Sequence, residues 1–252
     1  METLAVGQKA ASRNTAFVNR RRERLFYTGM SVAFLLVVFA GFARTYYLKP
    51  YFATPRLTPL LHLHGLIFSS WILFLLAQTA LVAAKRTHVH RLLGWGGAAL
   101  AALMILVGTT TAVVRAKIVE VPPSAPSPLV FLTIPLGDML VFGLLVGAGF
   151  YYRRRLDAHK RLMLLATISV LPAAVARLPF DFIQQFGPLA FFGLPDLFIL
   201  VVLVHDLLTR GRPHRATVLG GLLVVVSHVL RLPVGNTRAW LSFATWLTDL
   251  VG

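Results

Sequence analysis

Long uncharged stretches broken by short basic clusters dominate the pattern along this chain. A polar segment over residues 1–24 ends in Arg20, Arg21, Arg22, Glu23 and Arg24, and an uncharged run from Leu25 to Ala43 follows. A helix needs roughly 20 apolar residues to cross a hydrocarbon core of ~30 Å, and this run meets that length. It is too long for the apolar core of a cleaved signal peptide, so it reads as a retained first span. The second run, Leu57 to Ala84, is closed by Lys85 and Arg86, and the third, Leu92 to Val114, by Arg115 and Lys117.

Pro122, Pro123, Pro126 and Pro128 then predict a loop, because proline supplies no amide donor to a helix interior. A fourth span reads from Leu129 to Tyr152, interrupted only by Asp138 and stopped by Arg153, Arg154 and Arg155. The fifth, Leu162 to Ala176, is short but bounded by Arg161 and Arg177, whose side chains can snorkel to an interface. Residues 178–195 mix proline, glycine and aromatics, which predicts an interfacial or re-entrant loop leading into a sixth span that begins near Pro188 to Pro195 and ends near Leu208. A seventh covers Ala216 to Leu230. The last segment, with Trp240, Phe243, Leu247 and Leu250 at helical spacing, predicts a helix lying in the interface. The expected fold is therefore all-α: a polytopic transmembrane bundle over 25–232, a basic N-terminal segment over 1–24 and an interfacial segment over 233–252.

Composition agrees. Only 13% of residues are charged against 57% hydrophobic, about half the charge that a soluble domain carries. The net charge of +16 raises nucleic acid as a partner, but the basic residues punctuate apolar runs where a nucleic-acid binder would gather them on a solvated face, so the bilayer is the expected partner. With the N-terminus inside, 17 of the 25 basic residues fall on the cytoplasmic side, which sets the expected orientation. Cysteine is absent, excluding disulfides, thiolate catalysis and Cys-based metal sites; any metal or haem must be held by His, Met or carboxylate. Gly143 and Gly147, and the thin face of Gly94, Gly97, Ala98 and Ala101, predict close helix packing or a resting place for a flat cofactor.

The candidate chemistry lies in histidines near the predicted borders. His90-Arg91, His159-Lys160 and His214-Arg215 each precede a helix that re-enters from the same side, and His205-Asp206 ends the sixth span at that side. The alternative is ordinary border composition, with imidazoles among headgroups. A second group belongs to the other side: His62 and His64, Asp138, Arg177, Asp181, Asp196 and His228. Residues two apart point about 200° apart on a helix, so His62 and His64 cannot both face the centre, and His64 is the expected inward one. Asp138 and Asp196 are costly inside a membrane and should face protein, with Arg177 as the expected partner for a structural ion pair or a proton-relaying carboxylate.

The pattern of His64, Trp71 and Gln78, then His90-Arg91-Leu92-Leu93-Gly94 and His159-Lys160-Arg161-Leu162-Met163, resembles a broad group of uncharacterised bacterial multi-pass membrane proteins over residues 57–178. It is more distantly similar to transmembrane b-type cytochromes of the ferric-reductase and ascorbate-reductase kind. The first resemblance implies a bacterial inner membrane. The second implies haem b, held on the outer side by His64 and His228 and on the inner side by His90, His159 or His205, as in bis-His electron-transfer sites. A further likeness is to seven-helix zinc hydrolases related to progestin-and-adiponectin receptors and alkaline ceramidases. It implies zinc at His90, His159, His205, Asp206 and His214, although the pair of histidines four apart that marks their last helix does not occur here. A non-catalytic membrane subunit, assembly factor or carrier is the third alternative.

Overall fold

A computed structural model describes residues 2–119 and 127–251, with side chains from Arg21 onward. Pro122, Pro123 and Pro126 of the expected loop lie outside the described residues. The elements are α1 (Glu2–Phe42), continued by a π-helical turn (Ala43–Tyr47) and a 3₁₀ turn (Lys49–Tyr51), α2 (Pro59–Ala83), α3 (Thr87–Ile118), α4 (Pro128–Phe131) and α5 (Thr133–Tyr151). They continue with α6 (Leu156–Ile168), α7 (Pro172–Val175), α8 (Asp181–Phe186), α9 (Pro188–Arg210), α10 (Arg215–Gly235) and α11 (Arg238–Asp249). No strand occurs among the described residues.

Seven helical stretches among the described residues are long and apolar enough to cross a membrane: 21–47, 59–83, 87–118, 128–151, 156–175, 188–210 and 215–235. Their outward faces carry Leu36, Leu92, Leu106, Leu140, Leu200, Leu219 and Val229, each more than half exposed. Such apolar surface, continuous around a bundle, far exceeds what a monomer shows to water. The chain is a multi-pass membrane protein.

Local chemistry explains several boundaries. Thr58, Ser127 and Thr237 cap α2, α4 and α11 by accepting a backbone N–H in the first turn, with Pro59 and Pro128 at the first helical position where no donor is needed. Gly211 closes α9 in the left-handed region (φ +69°), and Gly187 turns α8 into α9 at φ +52°. The fifth span departs from expectation. Helix α6 begins at Leu156, six residues earlier than the apolar run, and Pro172 breaks the path so that the short α7 completes it. The seventh is also longer, because α10 runs on through Arg231 and Pro233 to Gly235. Both shifts carry an arginine that reads as a border marker into the bundle: Arg161 is fully buried and Arg231 is 4% exposed.

The central core joins α1, α2, α3, α5, α6, α9 and α10 around Phe34, Trp71, Met104, Phe142, Leu165 and Val202. Trp71 meets the Phe142 ring edge-on at 5.0 Å and donates its indole N–H to Thr167 Oγ1 at 3.1 Å, so a polar tip is satisfied inside an apolar centre. Lipid tails are as apolar as leucine, so close backbone approach matters more than burial here. Gly41 shows it, since a Cβ there would fall 2.2 Å from the Ala174 carbonyl oxygen. Gly143 packs against Ile105, whereas a Cβ at Gly147 or Gly94 would meet nothing within 4 Å. Helix α11 docks through buried Ala244 and Thr248, anchored by Trp240 Nε1 donating to the Leu129 carbonyl at 2.8 Å, with Phe243 and Trp246 exposed.

Candidate functional site

Two polar layers occupy opposite ends of the bundle. The first lies at the end formed by the α2–α3, α5–α6 and α9–α10 turns, here called the basic end. His90 and His159 are each the fourth residue of a helix that follows a short turn, α3 after residues 84–86 and α6 after residues 152–155. This equivalence turns the two imidazoles toward each other, with ring centres 6.3 Å apart and planes at 74°. His159 Nδ1 bonds the Gly149 carbonyl at 2.8 Å, which fixes the ring and leaves Nε2 outside that bond. The His90 ring faces the backbone of Gln78, with its buried Nδ1 outside hydrogen-bond geometry, and both amide atoms of buried Gln78 likewise have no partner among the described residues. Buried polar groups without partners are uncommon enough to mark a place where something else completes the bonding.

The remaining histidines of this end are engaged elsewhere. His205 stacks on Phe26 with ring centres 3.8 Å apart, and neither of its buried nitrogens has a hydrogen-bond partner among the described residues. Asp206 is enclosed by donors: Arg161 through Nε at 2.8 Å and through Nη2, Thr217 Oγ1 at 2.6 Å and the His214 backbone N–H at 3.1 Å. His214 caps α10, its Nδ1 accepting the Ala216 N–H at 3.0 Å. Partial burial, together with the nearby Arg161 and Arg210 charges, holds the His214 imidazole below its ordinary pKa and keeps that acceptor available. The five-residue zinc set His90, His159, His205, Asp206 and His214 therefore does not converge. Among the described residues no three His, Asp or Glu side chains are placed to share a metal ion. The reason is physical: a carboxylate saturated by four donors and an imidazole used as a cap have no lone pair left to give.

The layer is completed by charge. Lys160 pairs with Glu23 and, at 2.6 Å, with Asp157, which also accepts Arg210 at 3.2 Å. Arg161, expected at an interface, instead spans Asp206 and the Asp157 carbonyl at 2.7 Å.

At the opposite end, Asp138 on α5 pairs with Arg231 on α10 at 2.5 Å, both nearly inaccessible. Arg231 also donates to Ser227 Oγ at 3.3 Å and lies over the Phe192 ring at 5.3 Å. Gly137 makes room for it, since a Cβ there would come within 2.9 Å of Arg231 Nε. His228 stacks on Phe192 at 4.6 Å and sets Nδ1 2.9 Å from Asp196 Oδ1. The expected partner Arg177 takes no part. Its Nη1 donates to the Ala173 carbonyl at 2.5 Å and its guanidinium sits over Phe42 at 4.9 Å. Arg177 follows α7 and is engaged by Ala173 and Phe42, so the charge nearest in sequence is not the one that pairs with Asp138.

His64 is half-buried and stacked on Phe68 at 4.0 Å, while His62 is exposed. No ring contact or hydrogen bond joins His64 to His228 among the described residues. Sequence reasoning missed Arg161 and Arg231. Spacing held a signal for both: Asp157 precedes Arg161 by four residues, and Ser227, His228 and Arg231 share one face of α10.

Comparison of the chain with protein-family models, with curated proteins and with solved structures finds no match.

Proposed function

We propose that this multi-pass protein resides in a bacterial inner membrane, N-terminus in the cytoplasm, and is a b-type redox protein that binds haem at its basic end through His90 and His159. The observation that carries the reading is the convergence of these two imidazoles from equivalent positions of α3 and α6. Two imidazoles bound to opposite sides of one ion, with metal–nitrogen bonds near 2 Å, hold their ring centres roughly 6 Å apart. The 6.3 Å separation and the steep angle between the rings suit that arrangement. A zinc site needs three or four protein ligands, whereas a haem iron takes four from its porphyrin and asks only two of the chain.

The residues present fit this role. Gly149 orients His159 from behind by a carbonyl bond to Nδ1, the support that metal-ligating imidazoles ordinarily have. Gly94 lies one turn beyond His90 on the same face, and a Cβ there would find nothing within 4 Å, so that face has room. When bound, haem would supply one-electron transfer at this side of the membrane.

Protein purified in mild detergent from haem-sufficient cells tests the reading. A strong Soret band with split α/β bands on reduction is expected, lost in His90→Ala and in His159→Ala and kept in His205→Ala and His228→Ala. A colourless preparation, or a band that survives loss of both His90 and His159, overturns it.

A further inference from the structure

Ion pairing at the basic end is uneven. Asp157 serves Lys160, Arg161 and Arg210 at once, with separations of 2.6, 3.6 and 3.2 Å, and Asp206 is taken up by Arg161. Immediately before them in the α5–α6 turn stand Arg153, Arg154 and Arg155, and none forms an ion pair among the described residues. Arg153 donates to the Phe150 carbonyl at 3.1 Å and lies over the Trp95 ring at 5.8 Å. Arg155 lies over Tyr152 at 5.5 Å. Arg154 makes no such contact, and it lines an open depression with Arg155, Tyr151 and Tyr152.

The aromatic groups fix the level of this depression. Tyr151, 77% exposed, ends its span, and Trp95, 69% exposed, lies under Arg153 on the neighbouring helix; amphipathic rings near span borders sit among lipid headgroups. Three guanidinium groups thus stand at headgroup height without a carboxylate partner among the described residues, and Asp157, the carboxylate next to them in the chain, is already neutralised. Guanidinium binds phosphate oxygens in a bidentate fork, tyrosine hydroxyls can add donors, and the apolar ring faces suit glyceride chains.

We propose that the α5–α6 turn is a binding site for the phosphodiester headgroup of an anionic phospholipid, seated between Arg154, Arg155 and the Tyr151–Tyr152 rings. Charge complementarity selects an anionic lipid over a zwitterionic one, because a choline headgroup would bring a cation against this patch.

Thermal unfolding of the detergent-purified full chain tests the site with added phosphatidylglycerol, phosphatidylcholine or inorganic phosphate. Phosphatidylglycerol alone is expected to raise the melting midpoint by several degrees in a saturable way. Arg154→Gln/Arg155→Gln should lose that shift while melting like the parent in phosphatidylcholine, and the charge-matched control Arg212→Gln/Arg215→Gln should keep it. If the double variant does not fold, Arg154→Gln is read alone, since among the described residues that side chain has no hydrogen bond or ion pair to lose. No shift with phosphatidylglycerol, an equal shift with phosphatidylcholine or with phosphate, or equal loss in the control pair overturns the proposal.

Discussion

Removing both members of the Arg161–Asp206 pair should destabilise the bundle no more than removing either one alone. Both side chains are fully buried, and Asp206 holds four hydrogen bonds from three residues. Arg161→Met strands a buried carboxylate, and Asp206→Leu strands a buried guanidinium. Breaking such a pair from one side costs about 3–5 kcal/mol, mostly from the charge left without a partner. The double variant removes both charges. Its residual cost comes from the Thr217 hydroxyl and the His214 N–H, which lose an acceptor worth about 1–3 kcal/mol. Each single variant should therefore lose about 3–5 kcal/mol, and the double variant about as much as one single or less. The assay is reversible unfolding in mixed micelles against denaturing detergent, followed by the emission of the four tryptophans. Single losses under about 1 kcal/mol that add in the double variant are the behaviour of a solvated surface pair, and would refute the assignment of Arg161 to the interior.

Gly41→Ala should weaken the α1–α7 contact, because its Cβ would meet a carbonyl at 2.2 Å that only a backbone shift can relieve. Gly29→Ala, on the same helix with nothing within 4 Å, should be neutral or stabilising by up to about 1 kcal/mol through helix propensity, and the same unfolding assay ranks the two. His214 predicts an acid sensitivity. Its folded pKa lies below the unfolded value, so its capping contribution is full above the ordinary histidine pKa of about 6.5 and is lost as pH falls through the folded value. His214→Asn should keep the α10 cap without that acid-side loss, whereas His214→Ala should cost about 1 kcal/mol at neutral pH. A pH series of melting midpoints distinguishes them, and identical profiles for all three proteins would remove the capping role.

What the chain determined alone is the solvent it folds in and the number of crossings. Uncharged runs long enough for a hydrocarbon core, ended by basic residues, leave the backbone no alternative to internally bonded helices, and that is a local property of composition and length. That His90 and His159 each open a helix and precede a base is legible in the chain, but His214 shares that pattern and caps α10 instead, so packing alone sets which imidazoles face each other. Tertiary structure decided the charge pairing. Arg161 and Arg231 look like the arginines that end other spans, and α6 and α10 carry them inside only because Asp206 and Asp138 wait on neighbouring helices. Arg177, nearer in sequence to the acids, stays outside that contact. A buried charge is tolerated where a partner on another helix meets it, and which helices become neighbours is not written in any single segment.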